Sequence, residues 1–180
     1  MNLNPYIYSQ HLMQKAEIET FKKEESFRVM QKAAKTCFNF IIDIVTNQKI
    51  LVVCGPGNNG GDGILIAKYL HDKKKNVALY APLGIAKTND SKKALALLNS
   101  STLIKKNVNF EDYDIIIDSV FGVGLNRPIT EELQILFRNL NNSKPKVISI
   151  DMPSGVLTDT GQVNSVAIKA DTTLTFHRLK

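Results

Sequence analysis

The sequence predicts an α/β domain: a Rossmann-like three-layer sandwich with helices on both faces of a mostly parallel sheet. Two observations lead to that expectation. Short β-branched or apolar runs at 50–54 (ILVVC), 76–80, 115–118 (IIID), 147–151 (VISID) and 172–176 alternate with segments of helix length, the pattern of βαβ units. Eight of the ten glycines fall in three segments that each directly follow one of those runs: Gly55, Gly57, Gly60, Gly61 and Gly63; Gly122 and Gly124; and Gly155. Right-handed crossovers bring the C-terminal ends of all strands to one edge. The glycines therefore gather on the edge where open α/β sheets bind ligands.

Taken in order, residues 9–46 place Leu12, Ala16, Phe27, Met30, Ala34, Phe38, Ile41, Ile42 and Val45 at helical spacing, giving two helices or one long broken helix over the sheet. Strand 50–54 leads into a glycine loop over 55–63 and a helix over 64–71. Strand 76–80 precedes a crossover helix over 87–100, strand 115–118 precedes a helix over 131–141, and strands 147–151 and 172–176 complete the sheet. No repeat or linker interrupts the chain, so residues 1–180 read as a single domain.

Composition narrows the function classes. The 43% hydrophobic and 22% charged content is that of a globular protein. No apolar run approaches the roughly 20 residues of a membrane helix, and MNLNPYIYSQ lacks the basic and apolar regions of a secretory signal. A cytoplasmic protein with no membrane partner is expected. Cys37 and Cys54 sit in apolar surroundings and read as small core residues rather than a disulfide or metal ligands. The net charge of +6 is scattered. Its densest run, Lys73-Lys74-Lys75, follows a helix end, where cations complement the dipole. No aromatic residues interleave with it as in single-strand binders, and no nucleic-acid partner is expected.

The glycine segments carry the chemistry. In CGPGNNGGDG, Gly55-x-Gly57-x-x-Gly60 matches the dinucleotide fingerprint in form. Pro56, however, offers no amide hydrogen, Asp62 sets negative charge where a pyrophosphate would lie, and no acidic residue stands at 80–82. A capped glycine turn, with Asn59 or Asp62 as the cap, is the plain alternative. In the second segment Asp118 ends an apolar strand and sends its carboxylate to the ligand edge. Gly122 and Gly124 let amides face an anion, and Arg127 offers a fork of donors to phosphate. In the third, Asp151 ends the next strand, and Pro153 and Gly155 force a turn that displays Ser154. Two aspartates at neighbouring strand ends, both facing a glycine loop, point to a working site.

At these residues the chain resembles the NAD(P)H-hydrate epimerase family, the YjeF N-terminal domain. The matching segments are GPGNNGGDG, Asp118-x-x-Phe121-Gly122-x-Gly124 with Arg127-Pro128, Asp151-x-Pro153-Ser154-Gly155, and Ala170-Asp171-Thr172 leading to Thr175-Phe176. Met30-Gln31-Lys32-Ala33-Ala34 looks like a weakened form of the family's Met-Glu-Asn-Ala-Gly segment. The resemblance implies an isomerase that interconverts the R and S epimers of hydrated NADH and NADPH (NADHX and NADPHX). The S epimer would pass to a separate ADP- or ATP-dependent dehydratase. It implies substrate contacts from Asn58, Asn59, Gly60, Gly61 and Asp62, from Gly122, Val123, Gly124, Leu125, Asn126, Arg127 and Pro128, and from Asp151. It also implies one potassium ion on Asn59, Asp118 and Ser154, an oxygen-only set suited to a hard cation.

Asp151 is the expected general acid and base, since one strand-end carboxyl can deliver and retrieve a proton. The rival expectation is a non-catalytic nucleotide- or RNA-related binding module, as domains resembling this family occur inside RNA-decay scaffolds. Family members usually continue past the stretch that ends here at His177-Arg178-Leu179-Lys180, so an incomplete sheet edge, with pairing to a second copy, is a further expectation.

Overall fold

In the computed structural model, residues 9–98, 103–125, 128–163 and 165–176 are described. Helices α1 (Gln10–Phe21) and α2 (Ser26–Ile44) precede a repeating unit. Strand β1 (Ile50–Cys54) leads to helix α3 (Asn58–Asp72), β2 (Val77–Tyr80) to α4 (Asn89–Ala96), and then come β3 (Ile104–Lys105), β4 (Ile115–Ser119), α5 (Glu131–Asn141), β5 (Lys146–Ile150) and β6 (Thr172–Leu174). The strands form one sheet in the order β3-β2-β1-β4-β5-β6, and every neighbouring pair is parallel. The α/β expectation holds. Strand order reverses between β1 and β4, which makes their C-terminal ends the topological switch point.

The period-2 alternation of the strands sorts the core into two layers. Ile50, Val52 and Cys54 of β1, Leu79 of β2, Ile115 and Ile117 of β4, and Ile148 and Ile150 of β5 face α2, α3 and α4. Leu51, Val53, Ile116 and Val147 face the other way, against Leu133, Phe137 and Leu140 of α5 and Phe110. Helix α2 buries Met30, Ala34, Cys37, Phe38 and Ile41, a stripe at four-, three-, one- and three-residue steps. Both cysteines are buried and free, as the sequence implied. Burial raises the Cys37 thiol to about 12, helped by nearby Asp62, and pushes Cys54 further up. Neither is a thiolate nucleophile at neutral pH.

The structure corrects several element boundaries. The expected glycine loop over 55–63 is only three residues long, because α3 begins at Asn58 and takes Asn58–Gly63 into its first turns. A Cβ on Gly60 would lie 1.8 Å from the carbonyl oxygen of Gly55, so the helix starts this early only because its first turn packs directly on the β1 turn. Asn59 and Asp62 are not caps; the N-cap is Gly57, with no side-chain hydrogen bond. The crossover helix α4 is shorter than 87–100 and starts with a Thr88–Ser91 capping box. Strand β3, two residues long, carries no periodicity by which it could have been foreseen. Asp151 lies one residue past the end of β5 rather than within it.

The close approach at Gly60 sets a stability test. Gly60→Ala should destabilise the fold by about 3 kcal/mol or more, since backbone would have to move. Gly57→Ala meets nothing within 4 Å and should cost about 1 kcal/mol or less. Urea denaturation of the two variants checks the contrast.

Candidate functional site

A cavity of about 580 Å³ opens at the switch point, between the C-terminal edge of the sheet and helices α1 and α2. The polar half of its wall comes from the turn after β1 and the start of α3 (Gly57, Asn58, Asn59, Asp62), from Thr88 and Asp90 at the start of α4, and from Asp151 after β5. The loop after β4 closes it with residues 120–125. With no side chain capping α3, the helix turns its amide end, the positive end of its dipole, toward this space. The Thr88 hydroxyl donates to Asn58 Oδ1 at 2.6 Å and so latches the α3 start to the α4 start.

Asp151 is the most constrained residue of the wall. Its φ is +70°, a left-handed conformation that costs a residue with a Cβ about 1 kcal/mol or more. Its backbone N–H donates to Leu174 O at 2.8 Å, and Oδ2 accepts from Val123 N–H at 3.0 Å. A Cβ on Gly122 would come within 2.5 Å of that same oxygen, so a side chain at 122 would push the carboxylate aside. The result is a carboxyl only 9% exposed, on a strained hinge, at a cavity wall.

Asn59 stands nearby, its side-chain carbons 3.4 Å from that same hypothetical Cβ on Gly122. Its amide nitrogen and oxygen are both buried and make no hydrogen bond, while its backbone carbonyl accepts from the Ser119 hydroxyl. An orphaned buried amide costs about 1–3 kcal/mol, which a ligand would relieve.

Asp118 plays a different part from the one its sequence position suggested. It is fully buried and forms no part of the cavity wall. Its Oδ2 accepts from Ser149 Oγ at 2.8 Å and Ser154 N–H at 2.9 Å; its Oδ1 accepts from Ser154 Oγ at 2.6 Å and more weakly from Val120 N–H at 3.3 Å. Burial raises its carboxyl above the ordinary range, and these bonds pull it partly back. No lysine or arginine pairs with it among the described residues. Ser154, expected on display, is likewise fully buried, with Oγ accepting from Phe121 N–H at 2.8 Å.

Of the residues singled out in the sequence, Asn58, Asn59, Asp62, Gly122, Val123, Gly124, Leu125 and Asp151 meet at the cavity. Gly60 and Gly61 are packed inside α3, and Pro128 is exposed outside the wall. Asn126 and Arg127 lie outside the described residues. Between Gly122 and Gly124, the Val123 N–H donates to the Asp151 carboxylate. The opposite wall includes Met13 and Phe21 of α1 and Val29 of α2, which no motif marks in the sequence, beside Met30 and Phe176.

A parallel sheet with a carboxyl-bearing cavity at its switch point defines a Rossmann-like α/β domain. The particular family is defined by sequence: the YjeF-related protein N-terminus profile matches residues 26–180, and the chain belongs to that family. It is 38% identical over 156 residues to the bifunctional NAD(P)H-hydrate repair enzyme Nnr of Dictyoglomus turgidum, covering 82% of this chain and 30% of that protein. It is 39% identical over 129 residues to the NAD(P)H-hydrate epimerase of Leuconostoc mesenteroides, covering 71% of this chain and 58% of that one. The chain thus spans from about a third to under two thirds of the length of these curated relatives. The fold matches the crystal structure of yeast YNL200c with a TM-score of 0.76 at 22% identity, over 93% of this chain and 79% of that one.

Asp118→Ala should lower stability by about 3 kcal/mol or more, because the Ser154 N–H and two hydroxyls lose their acceptor inside the core. Denaturation against the parent measures it; a change under about 1 kcal/mol would remove Asp118 from the role of internal tie.

Proposed function

We propose that this chain is an NAD(P)H-hydrate epimerase, an isomerase interconverting the R and S epimers of NADHX and NADPHX. The observation that carries the reading is the strained Asp151 carboxyl held at the cavity wall, in a domain whose relatives bear that name. The substrate's C6 carries a hydroxyl beside a ring nitrogen. Asp151 protonates that hydroxyl, which leaves as water while the nitrogen lone pair forms a C=N bond. Water then adds back to either face of the ring, and the released proton returns to Asp151. One group can serve both steps because donating its proton leaves Asp151 as the base that the returning water needs. The Val123 N–H on Oδ2 fixes the carboxyl while its other oxygen exchanges the proton. In this reading the S epimer passes to a separate nucleotide-dependent dehydratase.

Asn59, Asp118 and Ser154 would hold one potassium ion. Two features favour it: Asn59 has a buried oxygen with no hydrogen bond, and Asp118 is a buried carboxylate with no cationic side chain as partner among the described residues. Buried charge is ordinarily paired or metal-bound. The hydrogen bonds already on Asp118 and Ser154 mean that Asn59 offers the freest ligand. When bound, the ion supplies fixed positive charge that orders the surrounding backbone and favours the diphosphate. The rival scaffold reading has no observation in its favour, and the named relatives above are enzymes.

Asp151→Asn should keep the fold and lower turnover about 100-fold or more, followed by chromatographic separation of the epimers. Near-parental rates would take Asp151 out of the chemistry. Potassium should raise the parent's melting temperature more than sodium does, and Asn59→Ala should abolish the difference. Identical melting curves in both salts would remove the cation.

A further inference from the structure

Helix α1 lies ahead of Ser26, outside the segment matched by the family, yet it supplies a wall of the cavity. Met13, Gln14, Glu17 and Phe21 all line it, and their spacing of one, three and four residues places them on one helical face. The helix is anchored there by Met13, 2% exposed, and by a hydrogen bond from Gln10 N–H to Asp159 Oδ1 at 2.6 Å. Phe21 is different: it faces the cavity but remains 42% exposed. A large aromatic ring bordering an open cavity, with no core covering it, has a free face to offer.

The cavity around it mixes two chemistries. Phe21, Met13, Val29 and Met30 give the α1–α2 wall an apolar stretch beside Gln14 and Glu17, while the α3 start and Asp151 bring polar groups to the facing wall. A nucleotide offers a partner to each, a flat apolar-faced ring joined to a polar sugar and phosphate. We propose that Phe21 is a specificity-determining residue, stacking on a ring of the bound nucleotide and making α1 the ring-binding wall of the site. This inference rests on the function proposed above. The ring is either the aromatic adenine or the hydrated nicotinamide ring. The latter is not aromatic but keeps a flat conjugated amide face, and the mononucleotide's ring stands in for it. The two are separable by experiment.

The test uses three probes, titrated calorimetrically into the full chain: ADP-ribose, which carries adenine alone; nicotinamide mononucleotide, which carries nicotinamide alone; and inorganic pyrophosphate, which carries no ring. Phe21→Ala should weaken one ring-bearing probe about ten-fold, the scale of one lost ring stack, and leave pyrophosphate unchanged. Phe21→Tyr should bind within about two-fold of the parent, since the ring face is kept. Ile18→Ala, at a 57% exposed position of α1 that is not part of the cavity wall, should change nothing. Loss confined to ADP-ribose identifies adenine, and loss confined to the mononucleotide identifies nicotinamide. The proposal is overturned if Phe21→Ala binds both ring probes like the parent, if pyrophosphate weakens equally, or if the parent binds neither ring probe. Epimer interconversion by the parent is assayed alongside. A parent that binds rings through Phe21 without epimerising defeats the enzymatic reading alone, and one that epimerises with Phe21→Ala unaffected defeats this inference alone.

Discussion

Asp118 ties the working edge of the sheet together. Its carboxylate lies between Ser149 on the neighbouring strand, the Ser154 turn beyond β5 and the loop beyond β4. Asp151 sits between two of these anchored points, on the short segment from β5 to Ser154, and its left-handed backbone persists because both flanks are fixed. The Ser154 hydroxyl extends the tie by accepting from Phe121 N–H, one residue before the glycine that lets the β4 loop reach Asp151. A carboxylate without solvent is thus the internal fastener of one with access to the cavity. The two aspartates divide support from exposure, although the sequence presents them alike.

The second constraint is backbone against backbone. The first turn of α3 rests on the turn after β1 with no room for a Cβ at Gly60. That contact turns what reads as a flexible glycine-asparagine loop into rigid helix. It also carries Asn59 to the buried side of the cavity, where its amide waits without a partner. Charge follows the same economy. The described walls include the carboxyl residues Glu17, Asp62, Asp90 and Asp151 but no lysine, arginine or histidine. Among the described residues, the lysines and arginines thus lie off this wall.

The parallel α/β class and the meeting of three glycine segments at one edge were legible in the sequence, because apolar runs and strand-end glycines are local signals; the strand order and the short β3 were not. Also legible was the placing of Asp118 and Asp151 toward the C-terminal ends of neighbouring strands. Which of the two faces the cavity was not legible, since this depends on Ser149 lying opposite Asp118 in the parallel register. The start of α3 was misplaced because Asn-Asn-Gly-Gly has poor helix propensity, and tertiary packing overrides it. The α1 wall was hidden for another reason. Leu12 and Ile18 are exposed apolar residues off the cavity face, so the helix shows no clean stripe from which its buried side could be read.

In the proposed reaction the carboxyl at the switch point inverts a carbon by removing and restoring its hydroxyl. Heavy-oxygen water tests this most directly. The purified chain is given the separated R epimer of NADHX in such water, and mass spectrometry follows label at C6 while chromatography follows inversion. The account predicts that inversion is accelerated over the enzyme-free control and that each S epimer formed carries one heavy oxygen. Accelerated inversion with the original oxygen retained would contradict the mechanism, and no acceleration at all would contradict the function.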